Sequence, residues 1–420
     1  MKYELEGRTL KMIVVKKEVV GNITVFLIFF CITLGNSQFF TEIGINNFFI
    51  YIGYSIVLMK ILYEFKTNLT SYFVKRLLLF FVLVYLFSIG IIKQNNLENL
   101  TKLNLILSMC LIALVAVLSE GILNSTEQFK FISYAIFWAC ILATFLAVIK
   151  GVSITSLAVE GAGGSNYGFT GGLQHKNYFG VASLAGFISA YISNKKENKF
   201  LLWVYLIFII ISNARTAYIL FILFIIISNA TKIKKINMTK AQLRLVMMLF
   251  SIFIILLMIL MYKKVTSGSE SYQYRYQGLV NYLNMYGENK FYMIFGNAEM
   301  AFRNSGQSYT YNIRSVTGWN GTTELSLLSI LVKNGLIGMI GYIIIFGYRL
   351  IQILSMSFSK IKYDVLAIWV IFFTSGFVET YVANINLVFN PFCYIAIGSL
   401  CSIYMKNMSN DDVQFEMEEE

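Results

Sequence analysis

Apolar residues in this chain follow neither the alternation of a half-buried strand nor the one-sided spacing of a surface helix. They form near-continuous runs, separated by short clusters of Lys, Arg, Asn, Ser and Gly. A helix needs about 20 such residues to cross a hydrocarbon core of roughly 30 Å. The runs predict crossings near 19–35, 44–63, 76–92, 103–122, 130–149, 174–193, 200–213, 215–230, 244–262, 335–355, 364–383 and 391–405. The seventh and eighth are short, with Arg215 between them. One long helix there would hold an arginine at mid-membrane, which is costly, so a tight turn at Arg215 is expected. The fold class is an all-α polytopic membrane protein with about 12 transmembrane helices and one large outer loop containing a short helix.

Composition agrees. Of 420 residues, 57% are apolar or aromatic and 13% charged, against roughly 25% charged in soluble domains. The N-terminus carries Lys2, Arg8, Lys11, Lys16 and Lys17 with no small-residue cleavage site after the first apolar run, so that run is expected to stay as a signal anchor. With the N-terminus inside, 22 of the 34 Lys and Arg fall on the cytoplasmic side and 12 outside. Seven of those 12 belong to the long segment 263–334, where the positive-inside rule no longer operates. Both termini are therefore expected in the cytoplasm. The net charge of +12 mainly orients the chain, and no nucleic-acid partner is expected. One transmembrane domain, 1–420, has an extracytoplasmic loop at 263–334 and an acidic cytoplasmic tail at 407–420, expected to be solvated and disordered. The cysteines Cys31, Cys110, Cys140, Cys393 and Cys401 lie in apolar runs without a CxxC, as small core residues do.

Outward-facing polar groups are few. A glycine-rich approach from Gly161 ends in His175-Lys176-Asn177 at the start of a span. Helix-start amides with Lys176 and a protonated His175 suit an anionic group; the plainer alternative is a His-Lys pair at headgroup level. No phosphate-loop GKS/T follows. The second group is Ser212-Asn213-Ala214-Arg215-Thr216-Ala217-Tyr218. Arginine suits bidentate phosphate binding in a partly dry site, and a snorkelling anchor is the alternative. The third is 263–334, with Lys263, Lys264, Arg275, Lys290, Arg303, Arg314 and Lys333 against Glu270, Glu288, Glu299 and Glu324. Tyr272, Tyr274 and Tyr276 flank Arg275, as a stacking surface for sugars or as an interfacial lid. The segment closes through Trp319-Asn320 and Glu324 to Gly335-Leu-Ile-Gly338. Glu324 falls in the first turn of the expected short helix, where the dipole favours its ionised form; it reads as a proton acceptor or as a plain helix-start acid. Asp364, Asp411 and Asp412 all lie on the cytoplasmic side, and the first outer loop offers only Glu42. Metal-dependent sugar transferases with outer acidic pairs are poor matches, and neither a metal site nor a cofactor is expected.

In their order, His175-Lys176-Asn177, Ser212 to Tyr218, Arg275 and Gly335-Leu-Ile-Gly338 resemble the bacterial O-antigen polymerase and O-antigen ligase superfamily, over roughly 165–355. The first half matches by hydropathy alone. The resemblance implies about a dozen spans, one large late outer loop, and chemistry on sugars linked through diphosphate to a polyprenyl lipid. It implies that Arg215 and Arg275 bind the diphosphate. Lys176 and Arg303 would assist, Glu324 or His175 would act on the acceptor hydroxyl, and Asn177, Arg314 and Asn320 would touch substrate. Counting nine residues back from Gly335 reaches Glu324-Leu325, so Glu stands where ligases carry histidine. That favours the polymerase branch, and the Pro-poor composition fits a Gram-positive-type capsular or exopolysaccharide polymerase. The expected activity is a metal-independent membrane glycosyltransferase joining lipid-linked repeat units. Ligase-like transfer of finished polysaccharide, or a flippase or transporter, is the alternative. The expected place is the bacterial cytoplasmic membrane, among membrane lipids, with a flippase and a chain-length regulator as candidate partners.

Overall fold

The computed structural model describes residues 2–67, 71–94, 98–158, 166–193, 198–230, 279–280, 282–284, 289–298 and 325–418. It is mostly helical. The first half carries α1 (Lys2–Leu34), a short α2 (Gln38–Glu42), α3 (Asn46–Thr67), α4 (Ser71–Ile92), α5 (Asn99–Leu118) and α6 (Phe129–Ile149). A two-stranded hairpin, β1 (Thr155–Ala158) with β2 (Asn166–Phe169), precedes α7 (Lys176–Ser193), α8 (Lys199–Ser212) and α9 (Arg215–Ser228). The last third holds α10 (Lys290–Phe295), α11 (Ser326–Ser355), α12 (Lys360–Ser375) and α13 (Phe389–Glu418).

Among the described residues, five stretches are long and apolar enough to cross a membrane: Asn46–Phe65, Phe73–Ile92, Asn99–Gly121, Thr126–Ile149 and Ser326–Ser355. Glu18–Leu34, Lys199–Ser212 and Arg215–Ser228 are apolar but shorter. At 1.5 Å per residue a helix the length of α8 or α9 reaches only about 21 Å. The expected span at 244–262 lies outside the described residues. Leu78, Phe81, Tyr85, Trp203, Ile207, Ile343 and Leu354 face outward, an apolar surface of the kind a membrane protein turns to lipid. Burial is 28% in the α3 and α4 stretches and 61% in those of α5 and α11, while α7 and the apolar part of α13 are enclosed almost throughout. Helix α4 packs on both α5 and α11, α1 lies against α3 and α6, α7 against α6 and α8, and α12 against α9 and α13.

Side-chain contacts tie the helix termini into two sets. One set joins the end of α1, the start of α7, the start of α9, the start of α11 and the loop after α12; Asn36 Nδ2, for example, donates to the Asn386 carbonyl at 2.6 Å. The opposite set joins the end of α3 to the turn after α5, where Lys60 Nζ donates to the Ile122 carbonyl. It also holds Arg76, Glu120 and Arg349 together, and Ser228 with Asp364. The five cysteines are free, four of them buried and Cys110 partly so, as small core residues.

The glycine pair read at 335 and 338 has a structural use. Gly335 breaks α11 with φ +62°, and a Cβ there would lie 2.3 Å from the Ile294 carbonyl oxygen. A side chain could occupy neither that conformation nor that space. The part of α11 before the break starts at Ser326, after Glu324, the residue expected in the first turn of the short helix. The piece 289–298 docks against it: Asn297 N–H donates to the Val332 carbonyl at 2.8 Å. Gln94 holds both, its Nε2 donating to Phe295 O at 2.7 Å and Lys333 O at 3.0 Å while its Oε1 accepts the Ala298 N–H.

Four expectations need amending, the first being the disordered tail, since α13 continues through it to Glu418. The tight turn between the seventh and eighth runs is present, but it turns on Asn213, in the left-handed region with φ 48°, and Arg215 is the first residue of α9. The run 364–383 is not one crossing. Helix α12 ends at Ser375, because Gly376 and the polar residues after it turn the chain: the Glu379 N–H returns to the Ser375 carbonyl at 2.8 Å, and a 3-10 turn follows at Tyr381–Ala383. The fold is also not purely helical, since the flanks of the glycine-rich approach pair as strands, Thr155 opposite Phe169 and Ala158 opposite Asn166.

Candidate functional site

The hairpin and the strap after it set the start of α7. The Thr170 N–H donates to the Ile154 carbonyl at 2.8 Å, Gln38 N–H to Gly172 O at 2.9 Å, and Gln174 N–H to Asn36 O at 3.0 Å. His175 then precedes the helix, and its Nδ1 accepts the Asn177 N–H at 3.1 Å, the position in which a side chain satisfies an orphan helix-start donor. With that lone pair occupied, a neutral ring carries its proton on Nε2. Lys176 is the first residue of α7 and is 7% exposed. Its stem lies under β2: a Cβ on Gly168 would come 2.5 Å from Lys176 Cδ and 2.3 Å from the Ser212 carbonyl oxygen.

The α8–α9 turn is held as firmly. Asn213 Nδ2 donates to the Tyr167 carbonyl at 2.7 Å, tying the turn to the hairpin. The Ser212 hydroxyl accepts the Ala214 N–H at 3.2 Å, and the Tyr218 hydroxyl reaches back to Ile210 O at 2.6 Å. Arg215 emerges from this turn exposed, and Thr216, beside it, is buried.

Both helix starts converge on a carboxylate from the far end of the chain. Glu379, 8% exposed, accepts on Oε1 from Asn177 Nδ2 at 3.2 Å and from the Thr216 hydroxyl at 3.3 Å. Its backbone carbonyl accepts twice from Ser326, at 3.0 Å from the N–H and 2.7 Å from the hydroxyl. The loop around it is pinned elsewhere as well. Asn390 Nδ2 donates to the carbonyls of Tyr381 and Val382 at 2.9 and 2.7 Å, and the Tyr54 hydroxyl to Ile385 O at 2.7 Å.

Of the residues singled out in the sequence, the structure brings His175, Lys176, Asn177 and Arg215 to one end of the bundle. Arg275, Arg303, Arg314, Asn320 and Glu324 lie outside the described residues; the next residue along, Leu325, leads into Ser326, which grips Glu379. Glu379 itself was not singled out. A signal existed: a charged residue amid Gly376, Thr380, Asn384 and Asn386 is turn chemistry inside an apolar run. Buried amide and hydroxyl donors, a buried lysine, an exposed arginine and a carboxylate can together bind an anion and accept a proton. Among the described residues no cluster of His, Cys, Asp and Glu is placed to hold a metal ion. The chain matches no protein-family model and no curated protein.

Proposed function

We propose that this chain is a polymerase of a bacterial cytoplasmic membrane that joins polyprenyl-diphosphate-linked oligosaccharide repeats into a surface polysaccharide. The observation that carries the reading is the meeting of two distant motifs, His175 to Asn177 and Arg215 to Thr216, around one carboxylate. Twelve crossings with both termini cytoplasmic would put this end at the outer leaflet. The arrangement of basic residues favours that orientation: Arg76, Arg349, Lys360 and Lys406 belong to the other end. A sugar diphosphate brings its own leaving group, so the enzyme needs cations where negative charge accumulates. Arg215 and Lys176 serve this role, with Arg275 and Arg303 from the late loop. Asn177, Arg314 and Asn320 hold sugar. A single displacement inverts the anomeric carbon.

The test is a deletion strain complemented with wild-type or Arg215→Ala protein at matched membrane levels. The expected outcome of deletion is single lipid-linked repeats on the outer leaflet. Arg215→Ala should slow elongation by ~10²–10³-fold, the usual effect of removing one such contact. Long polymer left on the carrier lipid would assign a ligase instead, and repeats trapped on the inner leaflet a flippase.

A further inference from the structure

Among the described residues, three groups at this end of the bundle, besides the exposed Glu98 before α5, are candidates for activating the acceptor hydroxyl. His175 commits its Nδ1 to the Asn177 N–H, which leaves a donor, not a base, on the other nitrogen of the neutral ring. Glu42 is tied to Lys150 at 3.0 Å and accepts from Gln38 on an exposed surface. Glu379 stands apart from both. Three helix starts fix it: α7 through Asn177, α9 through Thr216 and α11 through Ser326. Helix starts direct backbone donors and partial positive charge to the same point, so an anionic substrate drawn there meets this carboxylate, whose donors Asn177 and Thr216 each follow a cation, Lys176 and Arg215, in the chain.

Resting on the polymerase reading, we infer that Glu379 is the general base of the transfer and that Asn177 and Thr216 are its positioning residues. The acceptor sugar hydroxyl gives its proton to the Glu379 carboxylate as its oxygen bonds to the donor's anomeric carbon. The bond from that carbon to the phosphate oxygen breaks, and its electron pair leaves with the lipid diphosphate. The neutral carboxylic acid then returns the proton to water. Both named donors meet Oε1, so the amide and the hydroxyl set the carboxyl plane and aim the group.

Glu379→Gln separates this role from a structural one. The amide oxygen of glutamine still accepts from Asn177 and Thr216 but cannot take up the acceptor proton. The assay is elongation of a synthetic polyprenyl-diphosphate oligosaccharide by the full-length protein in lipid vesicles, followed across pH, with binding of the same lipid measured alongside. The expected result is Glu379→Gln protein at normal level and melting temperature, binding the lipid as wild type does. Its elongation should be slower by roughly 10²–10⁴-fold, the usual share of a general base. The residual rate should also lose the wild-type rise on the acidic side of the pH profile. Elongation within about threefold of wild type would overturn the inference while leaving the polymerase standing. No elongation by wild type would overturn the polymerase reading and this inference with it. Should Glu379→Gln fail to accumulate, Thr216→Val decides: one lost hydrogen bond predicts a roughly tenfold slower rate with a shifted acidic limb, and an unchanged rate and profile would overturn the proposal.

Discussion

Each end of the bundle buries a glutamate, and the two are held in opposite ways. Glu120, 2% exposed, lies between Arg76 at 3.2 Å and Arg349, itself 2% exposed. Tyr348 and Gln352 donate to the same carboxylate oxygen as Arg349. Arg349 spends its remaining donors on the Ala116 carbonyl, at 3.0 and 2.6 Å, and on Gln352 at 2.7 Å. Charge there is answered by charge within the protein, across α4, α5 and α11. At the other end Glu379 accepts from the Asn177 amide of α7 and the Thr216 hydroxyl of α9, and the Arg215 guanidinium makes no ion pair among the described residues. The first arrangement fixes helices to one another. The second leaves the Arg215 cation exposed beside a carboxylate that ties three helix starts together.

The contrast breaks most visibly at Arg349. Removing one partner of a buried ion pair costs about 3–5 kcal/mol, because the other charge stays buried with too little compensation. Arg349→Met should therefore lower the amount of folded protein and its melting temperature sharply, in detergent and in membranes, with activity lost only in proportion to folded protein. Normal stability together with abolished elongation would show that the Glu120 end takes part in chemistry, and the contrast would fail.

Much of this was legible in the chain, and the limits have physical causes. Runs of 20 or more apolar residues can do little but cross a bilayer, so α3 to α6 were readable from length. Arg215 in the middle of an apolar stretch demanded a turn, and the turn is there, because an arginine at mid-membrane is more costly than a broken helix. Gly335 showed in the Gly-x-x-Gly spacing, though not the docking of 289–298 that requires it. Glu120 and Arg349 were visible only as charges near span ends. Their pairing, across 229 positions, is decided by how α4 and α13 hold the turn after α5 against α11. Glu379 was hidden for a related reason: the run 364–383 averages out as a crossing, and the hydrogen bonds that give the residue its place come from α7, α9 and α11. Local pattern shows where a helix can stop. Which side chains meet there is a property of the packed bundle.

A smaller effect is expected at Gly168, where the hairpin crosses Lys176 and the Ser212 carbonyl. An alanine Cβ at 2.3 Å from that oxygen must push the strand away or displace Lys176. The relief lies at the edge of the bundle, so Gly168→Ala should cost about 1–3 kcal/mol, the range for overpacking, most of it borne by the hairpin and the start of α7. Elongation should fall further than stability, because Lys176 and Asn177 move with the strand. An equal fall in both, measured as rate per folded molecule against melting temperature, would make the hairpin a stability element like the Arg349 end.

The smallest and most discriminating change is Asn213→Gly. Glycine adopts the left-handed conformation of this helix end without strain, so the turn keeps its shape. What disappears is the hydrogen bond from Nδ2 to the Tyr167 carbonyl, 2.7 Å long on an exposed surface. A net hydrogen bond contributes about 0.5–1.5 kcal/mol, and solvent exposure places this one low in the range. The melting temperature should hardly move. Yet that bond joins the Arg215 turn to the hairpin that covers Lys176, the two pieces assigned to the diphosphate. If the Glu379 end works by holding separate cations in one geometry, Asn213→Gly should raise the lipid concentration needed for half-maximal elongation by several-fold and leave the maximal rate unaltered. A fall in maximal rate with unchanged lipid dependence would mean that this link serves the carboxylate instead, and that cation and base share one support.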